Sequence, residues 1–317
     1  MPEDRCVPAL KGELIMPDKP LDIDPDEVNT YFIYAAERNG IELARLIRQT
    51  QLLLDLQGEL YPQELDQVTT IRSILDIACG PGAWAIEAAR AHPDRQVIGI
   101  DISLPMIEHA QMFAEAEGVS NVKFLQMDAL SSLAFNEGSF DLINADALYT
   151  FLTPGLWLSF LRECKRVLRP GGLMKIGELE YGITNGEATE ALYRVWTQTM
   201  KRAGRSFSCD GWHHGTTAML RPLLRAAGYV QIGHKAYALD CSYGEPWHQA
   251  FWEDLLVMCR HMQPFIRRVC GEQAVREQQE LLTRASAEIK RPDFVGIIYR
   301  LSAWGVNPGT FAEGRDD

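Results

Sequence analysis

From Ser73 onward the chain repeats one pattern: a short contiguous apolar run, a glycine-marked turn, then a longer stretch with helical spacing. The runs Ser73–Ile77, Gln96–Ile100, Val122–Gln126, Phe140–Asn144 and Leu173–Gly177 do not alternate apolar with polar. That predicts strands of a parallel sheet covered by helices on both faces. Ala226-Ala227-Gly228-Tyr229 closes a helix over Thr216–Ala227, Val230–Leu239 predicts a sixth strand, and Phe294–Ser302 predicts the last one. Upstream, Asp24-Pro25-Asp26-Glu27 offers an N-cap, a proline at the first helical position and a glutamate at the third, ahead of Val28, Tyr31, Phe32 and Ala35. Asn39-Gly40 breaks that helix, and Ile41–Leu56 restarts a second amphipathic one. Glu245–Lys290 is helical by composition and spacing. The pattern divides the chain into an extended arm (1–20), an N-terminal helical cap (21–60), an α/β core (70–240), an inserted helical lid (245–290), the final strand of the core (291–305) and a polar tail (306–317).

Length and composition narrow the class. A chain of 317 residues, 46% hydrophobic and 23% charged, suits one large unit with a lid rather than a disordered protein. The apolar stretches fall short of a membrane span, and the first 16 residues lack a basic region followed by an apolar one, so membrane insertion and export are not expected. Seven cysteines without a CxxC pair fit reduced thiols and a cytoplasmic setting. The formal charge of −12 opposes binding to a phosphate backbone, which argues against nucleic acid as a partner. The chain offers no evident metal ligand set, because Cys209, His213 and His214 lack a partner pair.

The strand ends carry the chemistry. Asp76 ends the first strand, Gly80 and Gly82 make a tight turn, and Ala85 lets the next helix approach the sheet, which also matches the G-x-G-x-x-A dinucleotide fingerprint. Asp76 separates two cofactor classes. Its carboxylate opposes a pyrophosphate but favours a ligand bearing an ammonium and a sulfonium, so S-adenosylmethionine is preferred over NAD. Asp101, at the end of the second strand, can take both hydroxyls of a ribose; Asp128, ending the third, can accept from an adenine amine, with the backbone N–H of Ala129 beside it.

These motifs resemble the class I S-adenosylmethionine-dependent methyltransferases, in particular the small-molecule branch that includes ubiquinone- and menaquinone-type enzymes. The resemblance covers residues 74–180: Ile74-Leu75-Asp76-Ile77-Ala78-Cys79-Gly80-Pro81-Gly82, then Gly99-Ile100-Asp101-Ile102-Ser103 with Met106, Phe140-Asp141-Leu142-Ile143-Asn144-Ala145, and Val167-Leu168-Arg169-Pro170-Gly171-Gly172 before the fifth strand. It implies a Rossmann-like seven-stranded, mostly parallel sheet whose last strand is antiparallel. It also implies a cofactor site formed by Asp76, Ala78, Gly80, Gly82, Asp101, Ile102, Met106, Asp128, Ala129 and Ala145, and variable helices that cover a small-molecule methyl acceptor. An NAD-dependent oxidoreductase and a cofactor-binding scaffold without catalysis are the rival readings.

In-line displacement at a sulfonium methyl needs alignment and no metal. An acceptor with an acidic proton also needs a base. His213 and His214, in the glycine-bounded loop Trp212-His213-His214-Gly215, are candidates, although the same pair would serve to cap the following helix or face solvent. Glu178 follows the fifth strand together with Glu180, where either could orient an amine, act as base or simply be solvated. Tyr149, past the fourth strand, lies where the family lines the space between donor and acceptor, or packs in the core. Tyr31, Tyr34, Trp212, Tyr181, Trp247 and Phe251 are candidate lid residues, against the alternative of ordinary helix packing.

Overall fold

The computed structural model describes residues 40–61 and 70–309. Helix α1 (Gly40–Gln57) precedes strand β1 (Ser73–Ile77), α2 (Ala83–Ala91), β2 (Gln96–Asp101), α3 (Leu104–Ala116), β3 (Val122–Gln126) and β4 (Phe140–Asp146). A 3-10 turn over Leu148–Thr150 leads to α4 (Trp157–Val167), β5 (Leu168–Thr184), α5 (Glu187–Arg202), α6 (Thr216–Ala226) and β6 (Val230–Asp240). Three helices, α7 (His248–His261), α8 (Gln263–Cys270) and α9 (Glu272–Glu288), then precede β7 (Gly296–Val306). The strands form one sheet in the order β3-β2-β1-β4-β5-β7-β6, parallel from β3 to β5, with β7 antiparallel to both neighbours.

The uninterrupted apolar runs are explained by burial on both faces. Leu75, Ile77, Ile143, Met174 and Ile176 pack against α4 and α6 through Trp157, Phe160, Leu161, Leu220 and Leu224. Ile74, Val97, Phe124, Leu142 and Leu173 pack on the opposite face against α2 and α3 through Trp84, Ala88, Ile107 and Ala110. A third cluster joins α5, α7 and α9 to β7 through Leu192, Tyr193, Trp252, Leu255, Leu282 and Ile298.

Several elements differ from the sequence expectation. Residues 245–290 form three helices, with breaks at Met262 and at Gly271, whose φ of 88° a side chain disfavours. Helix α5, with Leu192, Tyr193, Trp196 and Met200 on its buried side, was not anticipated. The Arg169–Gly172 turn is an excursion inside a long β5, because Asn307 clamps it: Gly171 N–H donates to the Asn307 carbonyl at 2.8 Å and Asn307 N–H donates to that of Gly172 at 2.9 Å. Asp141 accepts the backbone N–H groups of Arg72 and Ser73, each at 2.7 Å, and so ties the starts of β1 and β4 together. The arm at 1–20, the helix beginning at Asp24 with Tyr31 and Tyr34, and the tail beyond 309 lie outside the described residues.

Candidate active site

The loop after β1 is built from left-handed residues, with φ of 55° at Ala78, 52° at Gly80 and 79° at Gly82. At Gly82 a Cβ would stand 2.7 Å from both the Ala110 Cβ and the Phe124 ring, so glycine is required by space as well as by torsion. No side chain caps the start of α2, which leaves its first turn facing the loop. Asp101 braces this cradle: Oδ2 accepts the Gly80 N–H and Oδ1 the Ser103 N–H, each at 2.9 Å. Each oxygen keeps a further lone pair for a ligand hydroxyl. Burial raises the Asp101 carboxyl above its ordinary value.

Asp76 is 3% exposed and accepts the Asn144 amide N–H at 2.8 Å. Burial pushes its pKa up to about 8, with Asn144 and Lys175 pulling the other way. A cationic ligand at this carboxylate would offset the cost of its ionisation, and an anionic pyrophosphate would add to it. This part of the cradle therefore fits S-adenosylmethionine. Behind Asp76 the polar chain continues. Lys175 Nζ donates to Asn144 Oδ1 at 2.7 Å and lies 3.7 Å from Asp146, which accepts from Arg300 Nη2 at 2.5 Å. Arg300 reaches Asp146 across Gly177, where any Cβ would overlap both groups.

Just past the end of β3, Asp128 is half-buried, with Oδ1 accepting the Leu130 N–H at 2.8 Å and Oδ2 the Ser131 hydroxyl at 3.0 Å. Ile102 and Leu104 are 43% and 46% exposed beside Asp101, a large apolar surface for which an adenine face is a suitable cover, whereas Met106 is buried. Ala129 is half-buried, and the Ala145 methyl is wholly enclosed in the α4/α6 core, away from Asp76.

Beyond the ends of β4 and β5 lies a small cleft open to solvent, lined by Tyr149, Leu179, Tyr181, His214, Phe251 and Met258, with Gln49, Glu180 and Asp254 as further polar contributors. His214 is 1% exposed; its ring centroid is 4.5 Å from that of Tyr149 and 5.3 Å from that of Tyr181. Among the described residues neither ring nitrogen has a hydrogen-bond partner, and burial lowers the pKa to about 3. The backbone N–H groups of His214 and Gly215 donate to Glu180 at 2.6 and 3.0 Å, so this carboxylate caps α6 and fixes the histidine against β5. Glu178 is fully buried: Oε1 accepts the N–H groups of Leu148 and Tyr149 at 2.8 and 3.2 Å, Oε2 has no partner, and burial holds the carboxyl well above its ordinary value.

The sequence candidates thus separate. Tyr149, Tyr181, His214 and Phe251 meet in the cleft, and Glu178 supports Tyr149 from beneath. His213 is exposed; Trp212 is 60% exposed with the Arg194 guanidinium 4.4 Å above its ring; Trp247 packs against the lid cluster and is not among the cleft residues. Asn144, Asp146, Lys175 and Arg300 were not singled out from the sequence as site residues. A signal existed for one of them: Lys175 interrupts the apolar run Leu173–Ile176, where an unpaired lysine would not be tolerated. Among the described residues, no three His, Cys, Asp or Glu side chains are grouped to hold a metal ion.

A family model described as a methyltransferase domain matches residues 74–172. The demethylmenaquinone methyltransferase of Lactococcus lactis is 39% identical over 32% of this chain and 39% of its own. That of Geobacillus stearothermophilus is 31% identical over 52% of this chain and 74% of its own. The chain spans about half the length of the first curated relatives it matches. A phosphoethanolamine N-methyltransferase from Haemonchus contortus shares the fold, with a TM-score of 0.52 at 18% identity over 92% of this chain and 62% of its own. With these matches laid over the glycine loop, Asp76 and Asp101, the chain belongs to the class I S-adenosylmethionine-dependent methyltransferases.

Proposed function

We propose that the protein transfers the methyl group of S-adenosylmethionine to an oxygen, nitrogen or carbon nucleophile of a small, uncharged, apolar or aromatic molecule seated in the cleft. The observation that carries this reading is the single segment Asn144–Tyr149, which supports Asp76 at one end and supplies a cleft wall at the other. When bound, S-adenosylmethionine would supply a methyl carbon made electrophilic by the sulfonium, with the sulfur keeping the C–S electron pair as an electron pair of the acceptor oxygen, nitrogen or carbon took its place. What the chain contributes is alignment, exclusion of water and a hydrogen-bond acceptor that orients the nucleophile.

The cleft lining restricts the acceptor. Among the described residues the lining is mainly three aromatic rings and several aliphatic side chains; of its two carboxylates Asp254 is paired with Arg45 and Glu180 with the His214 and Gly215 N–H groups, so the walls suit an apolar, uncharged molecule. The relatives' name, demethylmenaquinone methyltransferase, specifies a quinone for those proteins, and a flat ring of that kind suits these walls. Burial keeps His214 neutral, so one ring nitrogen can accept a hydrogen bond from the acceptor and orient it, while the same burial opposes its taking up the proton outright.

Incubation with labelled S-adenosylmethionine and a panel of neutral aromatic, amine and phosphorylated acceptors tests the proposal; transfer confined to phosphorylated molecules would contradict it. Once an acceptor is in hand, His214→Ala should lower kcat about 100-fold while cofactor Kd stays near the parent value, and His213→Ala should leave both near parent. A fully active His214→Ala enzyme removes this histidine from the chemistry. Heat stabilisation by NAD, and not by S-adenosylmethionine or its demethylated product, would favour the oxidoreductase reading instead.

A further inference from the structure

We infer that Lys175 is a positioning residue for the cofactor: by holding the Asn144 amide oxygen it turns the amide N–H onto one oxygen of Asp76, leaving the other oxygen for the cofactor's α-ammonium.

The direction of the Asn144 amide follows from its three neighbours. A lysine ammonium has only donors, so the 2.7 Å contact to Lys175 must use the amide oxygen, which leaves the amide nitrogen to donate to Asp76 at 2.8 Å and to Asp146 at 3.4 Å. With Lys175 removed, the amide oxygen loses its donor, and only the long 3.4 Å contact to Asp146 remains beside Asp76 to keep the nitrogen in place. Lys175 is 1% exposed and its Nζ lies 5.5 Å from the Trp84 ring centroid, so it has no solvent route by which to abandon this position. It is held there by Asp146 at 3.7 Å, itself paired with Arg300, and the bare backbone of Gly177 is what lets these groups meet.

The groups facing Asp76 are Asn144 and Asp146 from β4, Lys175 from β5 and Asp101 from β2, with Arg300 acting from β7 through Asp146. With all of these ionised, three carboxylates face two cations, an imbalance that a cation at Asp76 removes. Lys175 favours the ionised form of Asp76, whereas Asp146 and Asp101 oppose it. In the parent protein the affinity for an ammonium-bearing ligand should therefore rise with pH through about 8. Loss of the lysine should move that rise to higher pH.

This inference rests on the cofactor assignment, and its test separates the two. Calorimetric Kd values are measured from pH 6.5 to 8.5 for S-adenosylhomocysteine, which carries the α-ammonium, and for 5′-methylthioadenosine, which lacks the amino-acid part. For Lys175→Met we expect a Kd for S-adenosylhomocysteine raised about tenfold or more at pH 7, a displaced pH profile, and a Kd for 5′-methylthioadenosine within about twofold of parent. Parallel weakening of both nucleosides would make the role merely structural, and parental affinity for both would remove the role. Should Lys175→Met fail to fold, Asn144→Asp decides: it keeps the partner of Lys175 but takes the N–H from Asp76. It should weaken S-adenosylhomocysteine alone, and an unaltered Kd overturns the inference. A parent protein that binds neither nucleoside overturns the cofactor assignment instead.

Discussion

Gly177 offers a direct trial of the polar chain that crosses the sheet. An alanine Cβ at this position would overlap Asp146 Oδ1 and Arg300 Nη2, so Gly177→Ala can be accommodated only if Arg300 and Asp146 part. Arg300 is 2% exposed on its side chain and Asp146 27%, which makes this a largely buried ion pair with a 2.5 Å contact. Breaking a buried pair costs about 3–5 kcal/mol, and overpacking costs about 1–3 kcal/mol. The two do not add, because relieving the clash is what breaks the pair. Asp146 also keeps Lys175 and some solvent, so we expect a loss of about 3 kcal/mol, or a fall in Tm on the order of 6–12 °C. Equilibrium denaturation and thermal melting of the parent and Gly177→Ala measure it. The sharper comparison uses an Asp146→Ala/Arg300→Ala background. There the obstruction is gone, and replacing a strand glycine by alanine should be neutral or stabilising by about 0.5–1 kcal/mol. A Gly177→Ala protein as stable as its parent, or one with the same penalty in both backgrounds, would refute this account.

Two further outcomes follow from the site geometry. Asp101→Ala should weaken cofactor binding about 10- to 150-fold, from loss of a charge-assisted contact worth about 1.5–3 kcal/mol, and calorimetry giving an unchanged Kd would end the ribose role. Glu178 has a folded-state pKa well above its ordinary value, so the folded protein holds a proton that the unfolded chain releases, and this group subtracts stability as pH rises above about 4.5. Glu178→Gln, which keeps one carbonyl oxygen for the Leu148 and Tyr149 amides, should therefore gain stability relative to the parent between pH 4.5 and 7; urea titrations showing a pH-independent difference would disprove it.

The candidate cofactor residues could be placed in the fold from the sequence because they sit within a few positions of one another or at strand ends marked by apolar runs. Asp76, Gly80 and Gly82 form one local turn, and Asp101 ends a run whose periodicity gives its place. Strands β1 to β4 begin where the pattern puts them for the same reason. The polar chain was not legible, since Asp146 and Arg300 are 154 residues apart and each looks like a stray charge in its own strand. Glu180 is similar: a cap is recognised when it precedes its helix, and this one reaches α6 from a strand more than 30 residues away. The long β5 was hidden by Pro170, Gly171 and Gly172, which signal a turn locally and become part of the strand only because Asn307 holds them. Helix α5 carried its signal openly, with Leu192, Tyr193, Trp196 and Met200 at helical spacing, and was passed over.

The insertion of β7 between β5 and β6 has a consequence for biosynthesis. Ile298 lines the cleft and Arg300 completes the ion pair with Asp146, yet both are translated more than 200 residues after Asp76. On the ribosome the glycine loop and its helices can pair early, while β5 waits for a neighbour and β6 for the strand that joins it to the sheet. Until residue 306 has emerged, the nascent chain presents a half-built enzyme with an open β5 edge, and it is there that chaperones or wrong partners would find it.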